Sequence, residues 1–325
     1  MLQGDAKPGK KVLGGFLLVA LVFGVAFIAI RVSNQELPPF WGGALRLMLS
    51  AMILFTVMRV QGIPIPRGRA LGGAALYGLF TTGFNFALVY WGLLGATAAT
   101  ASVMFATVPL ITVVLSQWAR LEKWRWSGMG GSAAALLGVA VVFSNHLSEG
   151  GSVLSILSIF GGVLSVATGG VVIKLVPRAN PISMATVGML TGTPLLLVLS
   201  LIAGERVAFP VQSATWLALG WLVVGTSVGQ AVNIWVYSHW TASAASYSQV
   251  LIPVVTFVAA WLLNEETVTP VFLAGSALVL VGVYFGTLAQ RRNRSAVGPG
   301  SSHLAWLWSE PFPGGGPKAR GPKTV

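Results

Sequence analysis

Polar side chains stand at helical spacing inside segments that are otherwise as apolar as lipid, and they are the groups able to do chemistry here. Tyr77, Thr81 and Asn85 recur every four residues, and Thr226, Gln230, Asn233 and Tyr237 follow at intervals of four, three and four. Each set therefore shares one helix face. Ser155, Ser158, Ser165 and Thr168 form a third stripe. Hydrocarbon satisfies no hydrogen bond, so all three faces must look into protein or a wet cavity. The serines read best as glue between helices, at about 0.6 kcal/mol per bond. Asn85, Gln230 and Asn233 read better as the lining of a pathway, because an amide both donates to and accepts from a polar solute. Ser102, Ser246, Tyr247 and Gln249 add polar groups near the starts of two further segments, and Phe23, Phe27, Phe84, Tyr90 and Trp91 could wall a cavity.

Arg46 is the one charged side chain well inside an apolar segment, six residues after Phe40. A charge at the centre of a spanning helix costs about 3 kcal/mol on insertion scales, so its retention calls for a reason. Two readings are open: it meets a carboxylate or phosphate on a solute, or it snorkels to the headgroups.

These groups can hold and release a solute; they do not spell out catalysis. The sequence shows no metal-ligand cluster, no nucleophile paired with a base and no phosphate-binding glycine loop, so neither enzyme activity nor a cofactor or metal is expected. The run GMGGSAAALLG lies in an apolar segment, where small residues serve helix packing. Acids are placed just as tellingly. Glu36, Glu149, Glu205, Glu265 and Glu266 fall in loops on one side, and Asp5, Glu122 and Glu310 on the other. A carrier exchanging organic cations for protons needs a buried acid, and none is placed to serve.

The elements holding these residues follow from composition. Of 325 residues, 55% are hydrophobic and 9% charged, against about 25% charged in soluble domains. Stretches of spanning length, about 20 residues each, occur near 12–31, 40–58, 70–92, 96–118, 126–144, 151–174, 182–203, 214–238, 241–263 and 268–289. The expected fold is an all-α integral membrane protein of ten transmembrane helices.

Those helices fall into two copies. Thr97, Ala98, Ala101, Ser102, Pro109, Thr112, Glu122, Gly131, Ser132, Ala133, Gly138 and Val139 recur 144 residues later as Thr241, Ala242, Ala245, Ser246, Pro253, Thr256, Glu266, Gly275, Ser276, Ala277, Gly282 and Val283. Repeats at 12–144 and 151–289 are expected. With five crossings each, the second copy enters the bilayer upside down, a 5+5 inverted arrangement that places a solute path at the repeat interface. Pro109 and Pro253, at matched positions inside the fourth and ninth spans, each remove a backbone hydrogen bond and are candidate hinges or kinks.

Charge placement sets orientation. The net charge of +12 comes from Lys7, Lys10, Lys11, Arg59, Arg67, Arg69, Arg120, Lys123, Arg125, Lys174, Arg178 and the C-terminal tail, all on one side when loops are numbered alternately; Arg31 and Arg206 lie on the other. The positive-inside rule then puts both termini in the cytoplasm of a multi-pass plasma (inner) membrane protein. Nucleic acid is not an expected partner; a small-molecule solute and the lipid bilayer are. No oligomeric state follows, and a monomer is compatible with the sequence. The apolar run at 12–30 is longer than a signal-peptide core and reads as an uncleaved helix. Residues 290–325 open with RRNR and turn Gly-, Pro- and Ser-rich, the composition of a basic disordered tail, in which Trp306 and Trp308 could touch the interface.

Pro109, Glu122, Gly131 and Gly138, repeated as Pro253, Glu266, Gly275 and Gly282, together with PPFWGGALRLMLSA around Pro39 and Arg46, resemble the EamA family of the drug/metabolite transporter superfamily. Leu121 and Glu265 depart from the glycine usual before the glutamate. The resemblance implies a 5+5 bundle that exports amino acids or related metabolites by alternating access, with spans 1, 3, 4, 6, 8 and 9 around the cavity. Lipophilic drug export or sugar import within the superfamily, or a non-transporting membrane scaffold, are the alternatives.

Overall fold

A computed structural model describes residues 10–122, 152–263 and 273–282, together with 134, 137–141, 144 and 270. Every element among the described residues is helical. Eight helices are long and apolar enough to cross a membrane: α1 Lys10–Ser33, α2 Pro39–Val60, α3 Arg69–Gly92, α4 Ala98–Trp118, α5 Val153–Leu175, α6 Pro181–Ile202, α7 Ser213–His239 and α8 Ala242–Leu262. A shorter apolar helix, α9, covers Leu273–Gly282. The eight correspond to the expected spans one to four and six to nine. Most of the fifth span, the rest of the tenth and the 290–325 tail lie outside the described residues, as do Glu149, Gly131, Glu265, Glu266, Trp306 and Trp308.

Local sequence explains where the helices start. Pro39 and Pro181 open α2 and α6, where proline's fixed φ suits the first turn and its missing N–H is not needed. Asn180 caps α6, its Oδ1 accepting from Ile182 N–H at 2.9 Å. The repeat-matched Thr97 and Thr241 do the same work in α4 and α8, accepting from Thr100 and Ala244 N–H at 3.0 and 3.2 Å.

Three helices are irregular. In α3 a π-helical turn at Leu79–Phe84 joins two α-helical stretches. It lies against α6, where a Cβ on Gly78 would sit 2.1 Å from the Cα of Gly188; only glycine permits that approach. Helix α4 breaks between Phe105 and Val108, and Pro109 opens its second half. Proline cannot bond the carbonyl four residues back and its ring crowds it, so the break falls there. Helix α8 breaks at Tyr247, and Pro253 lies inside its second segment.

Packing interlocks the early and late helices. α1 lies against α7 and α8, α2 against α6, α3 against α5 and α6, and α4 against α5 and α8. One apolar cluster runs through all eight, from Phe27 and Leu47 to Ile159, Leu196, Leu222 and Ile252. Large apolar side chains such as Leu17, Met52, Phe55, Leu164, Leu201 and Trp261 point outward instead, a surface suited to lipid and not to water. Gly138 of the fifth span meets α9, where an added Cβ would stand 2.7 Å from Gly275 O.

The loops gather at two ends. At one, the α1–α2 and α6–α7 connections meet: Glu205 accepts from Phe40 and Trp41 N–H at 3.1 and 2.7 Å, and Glu36 accepts from Val211 and Gln212 N–H at 2.9 and 3.1 Å. At the other, Glu122 accepts from Ser243 Oγ at 2.8 Å near the start of α8, and Lys174 Nζ donates to the carbonyls of Tyr237 and Trp240 at the end of α7.

Candidate functional site

Between the two ends the helices enclose a cavity of about 600 Å³, a volume that includes the space at its mouth. Phe23, Ala26, Phe27 and Ile30 of α1 form one wall, and Thr81, Asn85, Phe86, Val89 and Tyr90 of α3 another. Phe105 of α4 and Val166 of α5 add apolar surface, while Gln230 and Asn233 come from α7 and Gln249 and Ile252 from α8. These helices are spans 1, 3, 4, 6, 8 and 9. The single contribution from α2 is Arg46.

Arg46 is 2% exposed, which rules out the snorkelling reading. Its Nε donates to Thr226 Oγ1 at 2.6 Å and its Nη1 to Tyr90 Oη at 3.4 Å. The guanidinium carbon lies 4.5 Å from the centre of the Phe86 ring, a cation–π contact worth about 2 kcal/mol when shielded from water. It forms no ion pair among the described residues. A buried cation without a counter-charge is costly, and these three neighbours only spread that cost.

The amides face the same space. Asn85 Nδ2 donates to Thr81 O at 3.3 Å, but Asn85 Oδ1 is buried with no partner, and so is Asn233 Oδ1. A buried acceptor left unpaired costs about 1–3 kcal/mol, which an N–H or a water entering the cavity recovers. Gln230 Oε1 is engaged, accepting from Tyr77 Oη at 3.1 Å. Tyr77 thus stands behind the wall and fixes the Gln230 amide.

The remaining polar candidates sit off the cavity. Ser102 and Ser246, matched in the repeats, donate back along their own helices to Ala99 O and Ser243 O at 2.7 and 2.8 Å. Tyr237 packs on α5, where a Cβ on Gly170 would lie 2.7 Å from its hydroxyl. Tyr247 occupies the break in α8, half-buried. Pro109 and Pro253 lie in the two broken helices without lining the space. On α5, Ser158 does glue helices, donating to Leu88 O at 2.7 Å, whereas Thr168 only bonds back to Leu164 O.

Two features escaped sequence reading. Phe86, the face against which Arg46 stacks, follows Asn85 directly and precedes Tyr90 by four, so the one-face rule applied to Tyr90 would have found it. Lys174, counted as a loop cation, instead neutralises the last carbonyls of α7, where the helix dipole favours positive charge. No spacing rule reports that contact.

The sequence model of the EamA-like transporter family matches residues 10–144 and again 153–288. The chain belongs to that family. Similar proteins include a probable terminal-alkyne amino-acid exporter of Streptantibioticus cattleyicolor, 28% identical over 89% of this chain and 98% of the relative. A probable amino-acid metabolite efflux pump of Salmonella typhimurium is 27% identical over 86% of this chain and 96% of the relative. A solved crystal structure of a protein 19% identical in sequence superposes with a TM-score of 0.65, over 88% of this chain and all of that one, and shows the shared fold. With its apolar helices, the chain is a multi-pass transmembrane member of the drug/metabolite transporter superfamily, and the names of its family and relatives are those of transporters of small-molecule solutes.

Proposed function

We propose that this protein is a plasma-membrane carrier that exports small metabolites, amino acids first among them, by alternating access. One observation carries the reading: Asn85 of α3 and Asn233 of α7, each with a buried amide oxygen that has no partner, both line a cavity walled by early and late helices alike. A structural bundle would have closed that gap with side chains; a carrier leaves it for a solute. The relatives named for amino-acid export support the solute class.

In this proposal the chain forms ten spans as inverted repeats over 12–144 and 151–289, with both termini and the 290–325 tail in the cytoplasm. The halves rock about the broken helices, with Pro109 and Pro253 as hinges. Among the described residues no acidic side chain lines the cavity, which favours facilitated over proton-driven transport. The largely apolar walls favour lipophilic drug export as a second reading.

Counterflow of labelled amino acids in proteoliposomes, with and without a pH gradient, tests the proposal. Exchange independent of the gradient is expected, and Asn85→Ala and Asn233→Ala each slow it about tenfold, the worth of a well-placed hydrogen bond. Proton-driven accumulation would overturn the uncoupled mechanism. Exchange of lipophilic drugs alone, indifferent to both substitutions, would replace the amino-acid reading.

A further inference from the structure

We infer that Arg46 is the carboxylate anchor of the cavity and sets its substrate class: monocarboxylates with an apolar body, a nearby N–H group adding to their hold, with amines lacking a carboxylate turned away. This deepens the carrier reading and rests on it for the claim that bound solutes are also moved.

The guanidinium is built to receive an anion. Of its five N–H groups, one is spent on Thr226 and one on Tyr90, which leaves three for a ligand. Its orientation is fixed before any solute arrives, since Thr226 Oγ1 is itself tied to Leu222 O at 2.6 Å and the Phe86 ring backs the guanidinium at 4.5 Å. A carboxylate bound there gains charge-assisted hydrogen bonds and supplies the counter-charge this buried cation lacks.

The rest of the lining narrows the class. A phosphate dianion would need further cations, and among the described residues Arg46 is the only charged group on the cavity wall. An amine without a carboxylate would meet a like charge and no acid to offset it. An N–H on the solute is welcome all the same, because Asn85 Oδ1 and Asn233 Oδ1 have no donor. Phe23, Phe27, Phe105 and Ile252 leave the remaining surface to an apolar body.

Four probes of one shape separate these terms: leucine, 4-methylpentanoate, leucinamide and 3-methylbutylamine. Binding to the purified full-length carrier is read as ligand-induced thermal stabilisation in detergent, and movement as counterflow against labelled leucine. The two carboxylates are expected to bind about tenfold or more tightly than the two amines, the difference that bonds to a charged group make. Arg46→Gln should erase that preference and Arg46→Lys should restore part of it. Equal binding of all four probes to the wild type would overturn the anchor, a result that does not depend on whether Arg46→Gln folds. Retention of the full preference in a folded Arg46→Gln protein would overturn it too. Carboxylate-selective binding without counterflow would instead sink the carrier reading and leave the anchor standing, whereas indiscriminate exchange would do the reverse.

Discussion

The two ends of the bundle are tied by different logic. At the end where α1 meets α2, two carboxylates tie the early helices to the late ones: Glu36 from the α1–α2 loop holds the entry to α7, and Glu205 from the α6–α7 loop holds the first turn of α2. Trp41 adds a third crossing tie, its Nε1 donating to Ala208 O at 2.6 Å. At the opposite end, among the described residues, Glu122 reaches across to Ser243, while Lys174 joins α5 to α7 within the late set. Carboxylates on helix N-termini are favourable local electrostatics at either end. Their reciprocity at the first end means that separating the halves there requires both acids to let go, while among the described residues the second end is crossed by the single Glu122–Ser243 contact.

The strongest way to break that contrast is to make one end inseparable. The sequence contains no cysteine, so Glu36→Cys with Val211→Cys introduces the only thiols. Cross-linking them with a bifunctional reagent should abolish counterflow completely, with the uncross-linked double variant as control. Persistence of transport after full cross-linking would show that this end never opens. Glu205→Gln comes next: removing a charged cap from α2 should cost about 1 kcal/mol of stability, seen as a lower Tm, and should raise thiol labelling at Trp41→Cys. At the other end Lys174→Met leaves the last carbonyls of α7 without their cation, for up to about 1 kcal/mol, and labelling at the first end should not change.

Acid sharpens the comparison more gently. The Glu36 carboxyl is held below its ordinary value of 4.5, first by the bond from Val211 N–H, opposed in part by desolvation and assisted by Thr215 and Gln212. A depressed carboxylate contributes its stabilisation above the ordinary value and loses it as pH falls through the lowered one. The Tm advantage of the wild type over Glu36→Gln should therefore stay constant down to pH 4.5 and narrow only below it. Smallest of all, Thr168→Ala removes only a bond along its own helix to Leu164, and its unfolding free energy should match the wild type within about 0.5 kcal/mol.

Much of this architecture was legible in the residues because it is local. Apolar runs located the helices, and the repeat register paired Thr97 with Thr241, which the structure shows to cap matched helices. Polar spacing of three and four residues put Thr81 and Asn85, and Gln230 and Asn233, on faces that meet at one cavity. What the sequence withheld is long-range. Whether Arg46 looked outward or inward depended on Thr226, 180 positions away. The reciprocal grip of Glu36 and Glu205 joins residues more than 160 apart, and both read as plain loop acids. Ser102 and Ser246 looked like pathway residues because a hydroxyl that bonds to its own helix has the same sequence pattern as one that faces a cavity.

The wide turn at Leu79–Phe84 carries a last consequence. It accommodates one residue more than regular winding needs, so α3 holds a spare unit of backbone between its two stretches. Excising any one residue there should leave a continuous helix of ordinary pitch, with Arg69–Gly78 and Asn85–Gly92 in nearly their present angular register, because the wide turn rotates less per residue than the winding that would replace it. Tyr77 would then keep its place beside Gln230, and a shortened α3 would fold with its passenger-facing groups unmoved, whereas the same excision from the regular stretch at Asn85–Gly92 would turn one part against the other by about 100°.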